Sequence, residues 1–512
     1  MSVYWSFACV IMAIMSCSGS SADRSGVTVK PASHAIYVAA TGVDGAAGDI
    51  HHPLKTINVA LGKARPGDSV ILRGGTYNQL VVANVNGTIT APVTLSAMPG
   101  ERVLIDGTGI LTSAAVSLLT ISNAHFLTVN GLEFCNLRTA TQGTEVNGIT
   151  VNNGATAITL RNNRVYNIAS ELSPEQGRSG HGILLIGNTS EPLQQIIVEN
   201  NEIHDTQTGY SENLTINGYV DGFIIRGNKI YNTENIGIDA AGGYAANPNP
   251  VLNYARNGLI SDNELYNIDM TRGPIGSIHG HGAIAIYVDG ARNIIVERNK
   301  IHDADRGIGI VSENDAFPTS NCIVRNNFVY NCWRTGIYLG GYLGYTSGGT
   351  RDCYVVNNTL FMNNKVPGAF GEIEGELRLT EQCFNNIVRN NLVYARPVDV
   401  FLHKYTNTGR GNMVDNNWYY TTGTPQWIWN STNGNPYTDL ISWQRASGMD
   451  AVSVYGQDPQ LRNVDLPDIH LKASSGAKSS GMLLPDSIVG ALDIDGKPRI
   501  SDSHLSIGAH QL

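Results

Sequence analysis

A short phrase built around two asparagines recurs through the middle of the chain. It contains two Asn or Asn-like residues, an apolar residue, an aromatic residue or His, and then Asn or Asp, as in RNNFVYN at 325–331. The third-position asparagines of its nine copies are Asn163, Asn201, Asn228, Asn263, Asn299, Asn327, Asn358, Asn391 and Asn417. Their spacing of 26 to 38 residues is irregular but narrow. Such a period indicates stacked coils joined by loops of variable length.

The runs beside each copy are typical of β-strands. Each copy follows a run such as QIIV or NIIV and precedes a second run such as AIAIYV or GIGIV. Several short strands per repeat, with no helical period between them, describe the coils of a parallel β-helix. Asn tolerates the left-handed backbone of a sharp turn, and its amide can bond to the same Asn one coil above or below. The phrase therefore predicts an asparagine ladder.

The sequence resembles the right-handed parallel β-helix proteins of the pectin-lyase-like superfold, which include polysaccharide lyases, glycoside hydrolases and uronan epimerases. The likeness covers residues 35–512. Its opening, from IYVAATG to GGTY, contains one helix whose apolar positions are Leu54, Ile57, Leu61 and Ala64. The resemblance implies an all-β solenoid whose N-terminal helix caps the open end. The fold alone does not identify a reaction.

The first residues of the chain have the pattern of an export signal. The apolar segment VYWSFACVIMAIM precedes Asp23 and Arg24, the first charged residues, and is too short to span a bilayer. We interpret residues 1–22 as a signal peptide and expect a periplasmic, cell-surface or secreted protein. An imperfect lipoprotein box ends at Cys17, so a lipid anchor there is the alternative to plain secretion.

We divide the remaining chain into three parts. Residues 35–100 are interpreted as the N-terminal cap and first coils, 101–425 as the β-helix core with a lateral binding cleft, and 426–512 as C-terminal coils and cap. The net charge of −9 argues against a nucleic-acid partner, because such binding normally rests on clustered Lys and Arg. We expect a monomer without a transmembrane segment.

Cysteine usage argues against a disulfide framework or a zinc site. Beyond the predicted signal the chain has five cysteines and no C-x-x-C pair. Cys322 and Cys353 each precede their ladder Asn by five residues, so we expect them to stack on adjacent coils. The spacing leaves open whether they are a buried thiol pair or a disulfide.

Alternation along each strand assigns residues to the interior or to the outer surface. In AIAIYVDG it places Ile284, Ile286 and Val288 inside and their alternate neighbours outside. Applied to the other coils, the same alternation places acids and tyrosines on one lateral face. This predicted face contains Asp239, Tyr287, Asp289, Glu313 and Tyr338.

Asp289 and Glu313 are the predicted catalytic pair. They are one short coil apart, and neighbouring strands are about 4.8 Å apart. In one column their carboxyl groups would suit a retaining glycosidase, and a two-residue offset would suit an inverting one. Two carboxylates this close should have different pKa values. We assign Asp289 as nucleophile or base and Glu313 as acid/base; a calcium site or two solvated acids are the alternatives.

Other polar residues are candidates for substrate contact. Asp239 would bind sugar hydroxyls or position a water, unless it caps a turn. The candidate substrate-binding residues are His279, His281, Tyr287, Arg306, Arg334, Tyr338 and Glu376. Each also has a structural interpretation. The histidines could be plain loop residues, the arginines could pair with nearby acids, and the tyrosines could pack under loops. Glu376 could belong to a solvated face of the GEIEGELRL segment.

We expect an exported glycoside hydrolase acting on an oligo- or polysaccharide without a required cofactor. The first alternative is a polysaccharide lyase that eliminates across a uronic acid, with Lys404, Arg306, Arg334 or His279 available and calcium as an optional partner. A non-catalytic carbohydrate-binding protein or adhesin is the second. An epimerase is a further enzymatic variant.

Overall fold

Each repeat contributes one short strand to each of three parallel sheets, as the β-rich runs predict. The computed structural model describes residues 34–111, 114–366 and 372–512. The predicted signal peptide at 1–22 and Cys17 lie outside the described residues. In a typical coil the chain passes through sheet 1, sheet 2 and sheet 3 and then enters sheet 1 of the next coil. The predicted parallel β-helix is confirmed.

Sheet 1 and sheet 2 flank the turn that contains the asparagine phrase. The strands of sheet 1 are Ala35–Val38, Ser69–Leu72, Val93–Ala97, His125–Asn130, Thr156–Arg161, Leu193–Glu199, Val220–Arg226, Arg256–Ser261, Arg292–Glu297, Thr319–Ser320, Ile323–Arg325, Thr350–Arg351, Tyr354–Val356, Cys383–Phe384, Ile387–Arg389 and Met413–Asp415. The strands of sheet 2 are Gly75–Tyr77, Val103–Asp106, Glu133–Cys135, Arg164–Tyr166, Glu202–Thr206, Lys229–Thr233, Glu264–Ile268, Lys300–His302, Phe328–Tyr330, Thr359–Phe361, Leu392–Tyr394, Trp418–Tyr420 and Val454–Tyr455.

Sheet 3 follows the longest loops of the coils. Its strands are Val81–Ala83, Val116–Ser122, Val146–Asn152, Gly180–Gly187, Leu214–Gly218, Ile238–Ala241, Ile284–Asp289, Arg306–Ser312, Ile337–Gly341, Leu377–Leu379, Leu402–Lys404 and Trp427–Trp429. The remaining elements are two short strand pairs and a few short helices. They are the pairs Arg138–Thr139 with Ala169–Ser170 and Leu461–Asn463 with Asp468–Leu471, the α-helices Ile57–Lys63, Gly276–His279, Leu440–Ser447 and Asp486–Val489, and the 3₁₀-helices Pro174–Gln176 and Met270–Arg272. Among the described residues no helix is long and apolar enough to cross a membrane.

The asparagine ladder runs unbroken from Asn163 to Asn417. At each step the backbone N–H and the Nδ2 of one ladder Asn both donate to the Oδ1 of the next, at 2.8–3.1 Å. The ladder is buried, so these bonds satisfy backbone groups that no strand pairs at the turn.

The left-handed backbone conformation occurs at the residue before each ladder Asn. The prediction that one Asn both adopts this conformation and forms the ladder bonds is therefore wrong. These preceding residues have φ between 52° and 64° and are Asn162, Asn200, Gly227, Asp262, Arg298, Asn326, Asn357, Asn390 and Asn416. The two roles need different geometries, because a side chain that faces the interior cannot also occupy the outer corner of the turn. The repeated Asn-Asn pair supplies one residue for each.

Alternation fails at the start of the sheet 3 strands. Ala285 and Ile286 both belong to the main core, whereas Ile284 packs outside it against Tyr287 and Val311. The predicted positions of Ile284 and Ala285 are therefore exchanged. The chain turns a corner there, so two consecutive side chains point inward before regular alternation begins.

Separate elements lie at the two ends of the solenoid. The predicted N-terminal helix is present at Ile57–Lys63, with Ile57 and Leu61 in the core. Near the C-terminus, Trp443 is fully buried and packs on Trp427. The chain then returns along the outside of sheet 2, where residues such as Leu471 cover Trp418.

The five described cysteines are all buried, and none forms a disulfide. Cys322 and Cys353 lie on adjacent coils as predicted, with the Cys322 N–H 3.3 Å from the Cys353 Sγ. Cys353 N–H donates in turn to Asn386 Oδ1 at 3.1 Å. The two thiols therefore extend a second polar ladder.

Replacing a central ladder residue tests its contribution to stability. Asn299→Ala removes the acceptor of the buried Asn263 N–H, at 3.0 Å, and the Nδ2 donor to Ile260 O, also at 3.0 Å. We expect a loss of about 2–4 kcal/mol in the free energy of unfolding, measured by urea denaturation. The control Asn293→Gly replaces an outer left-handed residue with φ of 57°, and should cost less than about 1 kcal/mol. Equal losses in the two variants would contradict a special role for the ladder.

Candidate active site

The outward side chains of sheet 3 form the floor of a cleft of about 720 Å³. The register aligns one residue from each of six successive coils into a single column. This column contains Thr215, Asp239, Tyr287, Gly309, Tyr338 and Arg378. The face predicted from alternation is therefore a continuous concave surface whose polar groups come from distant parts of the chain.

Glu313 lies in the turn that follows strand Arg306–Ser312 and lines the cleft. Its Oε1 accepts the hydroxyls of Tyr287 at 2.8 Å and Tyr342 at 2.9 Å, and its Oε2 accepts that of Tyr244 at 3.1 Å. The single proton of the Tyr244 hydroxyl is shared with Asp289 Oδ2, so Tyr287 and Tyr342 are the two full donors to Glu313. The cleft thus presents a Glu313 carboxyl group that hydrogen bonds orient.

Asp289 pairs in register with Val311, so Glu313 lies two residues beyond it along the strand direction. Its Oδ1 accepts the Glu313 N–H at 2.6 Å, and its Oδ2 accepts the Tyr244 hydroxyl. Asp289 is only 1% exposed and does not line the cleft. Burial and the nearby charge of Glu313 raise its pKa to about 7.

These contacts correct the role predicted for Asp289. A carboxyl whose two oxygens are occupied and covered cannot attack a sugar in this geometry. It instead orients Glu313 directly and through Tyr244. The sequence prediction assumed that an outward side chain is an accessible one, whereas the 240–258 loop covers this position with Tyr244.

Asp239 lines the cleft but is 3% exposed, and its Oδ1 has no hydrogen-bond partner in the described structure. Burial raises its pKa well above the usual range, and the charges of Glu212, Asp289 and Glu313 raise it further. The predicted turn-capping role has no support in these contacts. Burial and the neighbouring acids thus favour the protonated form of Asp239.

Three arginines line the opposite part of the cleft around the buried Glu374. Arg334 forms an ion pair with Glu374, and the nearest guanidinium nitrogens of Arg306 and Arg378 lie 3.4 Å from its Oε1. Glu374 Oε2 also accepts the N–H of Thr335 at 2.9 Å. The cleft is therefore acidic at Asp239 and Glu313 and rich in arginine further along the solenoid.

The predicted aromatic contacts lie between these two parts. Tyr287 and Tyr338 both line the cleft, with ring centroids 6.3 Å apart. Arg306 lies 5.6 Å from the Tyr338 ring centroid. Ring faces of this kind pack against the apolar faces of sugars.

The two histidines that were predicted to contact substrate have different surroundings. His279 lines the cleft and contacts Tyr210 edge to face at 5.8 Å. His281 is not among the cleft-lining residues: its Nδ1 lies 2.6 Å from Asp305 and 3.1 Å from Asp269, and its ring stacks on Trp333 at 4.3 Å. The predicted substrate contact of His281 is therefore corrected to a contact that fastens its loop.

Glu376 is fully buried and is also removed from the predicted site. Its two carboxylate oxygens accept the N–H and the Nδ2 of Asn363 at 2.9 and 2.7 Å. It occupies the inward corner position that Ala285 occupies on an earlier coil. Gly375, with φ of 118°, breaks the strict alternation assumed for GEIEGELRL.

Sequence reasoning missed several cleft residues. Glu212, Tyr244, Tyr210 and Tyr405 line the cleft and were not singled out. All four lie in loops or just beyond a strand end, where alternation gives no orientation. Tyr244, for example, lies in the loop between strands Ile238–Ala241 and Arg256–Ser261.

Calcium, the optional partner in the lyase alternative, stays an expectation. Among the described residues, the two groups that bring three ligand atoms together are Asp269 with His281 and Asp305, and Asp493 with Asp495 and His510. Calcium prefers six to eight oxygen ligands. Each group includes a histidine nitrogen, and neither belongs to the acidic floor.

Family comparisons agree with this architecture. A model described as "Right handed beta helix region" matches residues 139–438, and one described as "Pel9A-like, right handed beta helix region" matches residues 36–234. The chain belongs to the right-handed β-helix family. The second match covers less than half of the chain.

Two relatives and one solved structure are similar to this chain over different lengths. The uncharacterized protein YwoF of Bacillus subtilis (strain 168) is 29% identical over 444 residues, which is 86% of this chain and 92% of YwoF. Pectate lyase PEL9 of Emericella nidulans is 32% identical over 229 residues, covering 42% of this chain and 50% of PEL9. The solved structure of XylC with xylose has a TM-score of 0.57 at 12% identity, covering 93% of this chain and 98% of XylC, and supports the fold alone.

Proposed function

We propose that this β-helix protein hydrolyses glycosidic bonds of an oligo- or polysaccharide, with Glu313 and Asp239 as the reacting carboxyl groups. The observation that carries the proposal is the contrast between them. Glu313 accepts the hydroxyls of Tyr287 and Tyr342, whereas Asp239 has a buried oxygen without a hydrogen-bond partner in the described structure, and its pKa is raised. Glycosidic hydrolysis uses one carboxyl group as the acid and a second as the nucleophile or base.

In this mechanism Asp239 donates its proton to the leaving oxygen as the bond between that oxygen and the anomeric carbon breaks. Glu313 either bonds to the anomeric carbon or takes a proton from the attacking water. The water adds hydroxide to the sugar and returns the second proton to the pair, so both residues regain their starting state. Asp289 and Tyr244 hold Glu313 in place throughout.

The substrate class rests on the walls of the cleft. Tyr338 and Tyr342 line it beside the acidic floor, where their rings are available to pack on sugar rings, and the buried Tyr287 lies next to Tyr338. The similarity to PEL9 over part of the chain also favours a carbohydrate substrate. Export, with a signal peptide at 1–22, remains part of this proposal, because the polysaccharides that such an enzyme would cleave lie outside the cell.

A glycan panel tests the proposal directly. Neutral and acidic oligo- and polysaccharides would be incubated with the wild type and with Asp239→Asn, and reducing ends would be measured. We expect release by the wild type on at least one glycan and a fall in kcat of about 10²–10⁴-fold in Asp239→Asn, because the amide cannot deliver a proton. Asp221→Asn, on sheet 1, is the control and should keep full activity. An Asp239→Asn enzyme as active as the wild type would exclude the assigned acid.

A polysaccharide lyase is the second candidate, favoured by Arg306, Arg334 and Arg378 in the cleft and by the similarity to PEL9. The arginines would neutralise a uronate carboxylate. Lys404, suggested as a base, is buried and donates to Thr408 O at 2.7 Å, so it does not reach the cleft floor. Ultraviolet absorbance of an unsaturated uronate in the same panel would favour the lyase over the hydrolase.

A further inference from the structure

Glu212 and His181 form an acid–base group at one end of the cleft that the proposed reaction does not use. Glu212 lies just before strand Leu214–Gly218 and lines the cleft. Thr215 of that strand pairs in register with Asp239, so Glu212 comes from the coil that precedes Asp239. The acidic floor therefore extends one coil beyond the reacting pair.

His181 lies behind Glu212 and is 6% exposed. Its Nδ1 is 3.0 Å from the Glu212 carbonyl oxygen and 2.7 Å from Thr215 Oγ1. Since a carbonyl oxygen only accepts, Nδ1 carries a proton. Nε2 faces Glu145 Oε2 at 3.8 Å, and Nδ1 lies at the same distance from Glu212 Oε2.

This placement favours a charged imidazolium. The charged groups that face the ring are Glu145 from the segment before strand Val146–Asn152 and Glu212 from the segment before Leu214–Gly218. Burial by itself would lower the pKa of His181, but contacts with Glu145 and Glu212 raise it above the usual histidine range. The ring thus lies buried between two glutamates, whose contacts favour its protonated form.

We propose that Glu212 contacts the sugar beside the one whose bond is cleaved, and that His181 is a positioning residue that fixes Glu212 and supplies the cation for the acidic floor. This inference rests on the proposed hydrolytic function. Thr215 Oγ1 donates to Glu212 Oε2 at 3.0 Å. A carboxyl held through one oxygen can accept a sugar hydroxyl through the other.

The position of His181 also affects the reacting pair. Burial raises the pKa of Glu212, while the charge of His181 lowers it. The charge of Glu212 in turn contributes to the raised pKa of Asp239 one coil later. A neutral residue at 181 removes the charge that lowers the pKa of Glu212, so the pKa of Glu212 rises.

The experiment compares the pH dependence of KM in the wild type and in His181→Gln. We expect the limb that reports ionisation of Glu212 to move to higher pH by about 0.5–1 unit, because removal of a nearby cation disfavours carboxylate ionisation. Glu212→Gln and Thr215→Val should raise KM about tenfold and change kcat less, as loss of one hydrogen bond to substrate predicts. His302→Gln, on the outer face of sheet 2, is the control and should change neither quantity.

Two further measurements separate this inference from the proposed function. Imidazole signals assigned by their absence in His181→Gln would be titrated by NMR, and the pKa of His181 should lie above the ordinary range in the wild type and fall in Glu145→Gln and Glu212→Gln. Binding of the panel glycans by calorimetry tests the Glu212 contact if no turnover is found. An unchanged pH profile in a folded His181→Gln enzyme, an ordinary His181 pKa, or unaltered KM and affinity in Glu212→Gln would overturn the inference. Wild type without turnover but with a raised His181 pKa would instead overturn the proposed function alone.

Discussion

Replacing Glu313 by Gln is expected to lower kcat at least about 10³-fold while the protein keeps its fold. The substitution preserves the shape of the side chain but replaces one of the carboxyl oxygens that contact the hydroxyls of Tyr244, Tyr287 and Tyr342 by an amide nitrogen. An amide can neither bond to an anomeric carbon nor take a proton from water. The measurement is reducing-end release on the glycan that the wild type cleaves, with circular dichroism to check the fold.

The matched control is Glu264→Gln, in strand Glu264–Ile268 of sheet 2. Glu264 lies at the surface, where its carboxylate is 3.5 Å from Lys300 Nζ and 3.7 Å from Lys229 Nζ. We expect its activity to equal that of the wild type and its stability to fall by less than about 1 kcal/mol. Retention of wild-type kcat by Glu313→Gln would remove Glu313 from the reaction.

Replacing Glu374 by Gln is expected to cost about 3–5 kcal/mol of the free energy of unfolding. Glu374 is buried in contact with Arg306, Arg334 and Arg378, and loss of its charge leaves three guanidinium groups close together. Burial alone would raise the pKa of Glu374, but the three arginines lower it to about 2. The measurement is the urea midpoint and slope at neutral pH.

The pH dependence gives this prediction a second test. Because the folded-state pKa is depressed, the stabilisation by Glu374 is fully present above the ordinary carboxyl range and is lost as pH falls towards about 2. The stability difference between the wild type and Glu374→Gln should therefore shrink in acid. Glu372→Gln is the control: its side chain is 42% exposed, and we expect a cost below about 1 kcal/mol. A Glu374→Gln variant as stable as that control would show that the arginines do not depend on the buried charge.

The asparagine phrase by itself determined the solenoid. Its fixed offset from the flanking strands identified the ladder positions, as Asn163 and Asn417 at the two ends show. Every repeat needs its own sharp turn and its own partners for buried polar groups, so the same residue types recur in every repeat. Alternation likewise placed Asp239, Tyr287 and Tyr338 on the face that became the cleft.

Only the tertiary structure decided which of those residues meet and which are accessible. The two-residue offset between Asp289 and Glu313 follows from the register of neighbouring coils, and the cover over Asp289 comes from Tyr244 in a loop. Glu376 turned inward because a corner, and not a regular strand, precedes Leu377. Strand periodicity records the alternation within one strand but neither the conformation of loops nor the contacts between coils. The solenoid fold could therefore be predicted from the sequence, whereas the set of residues that line its cleft could not.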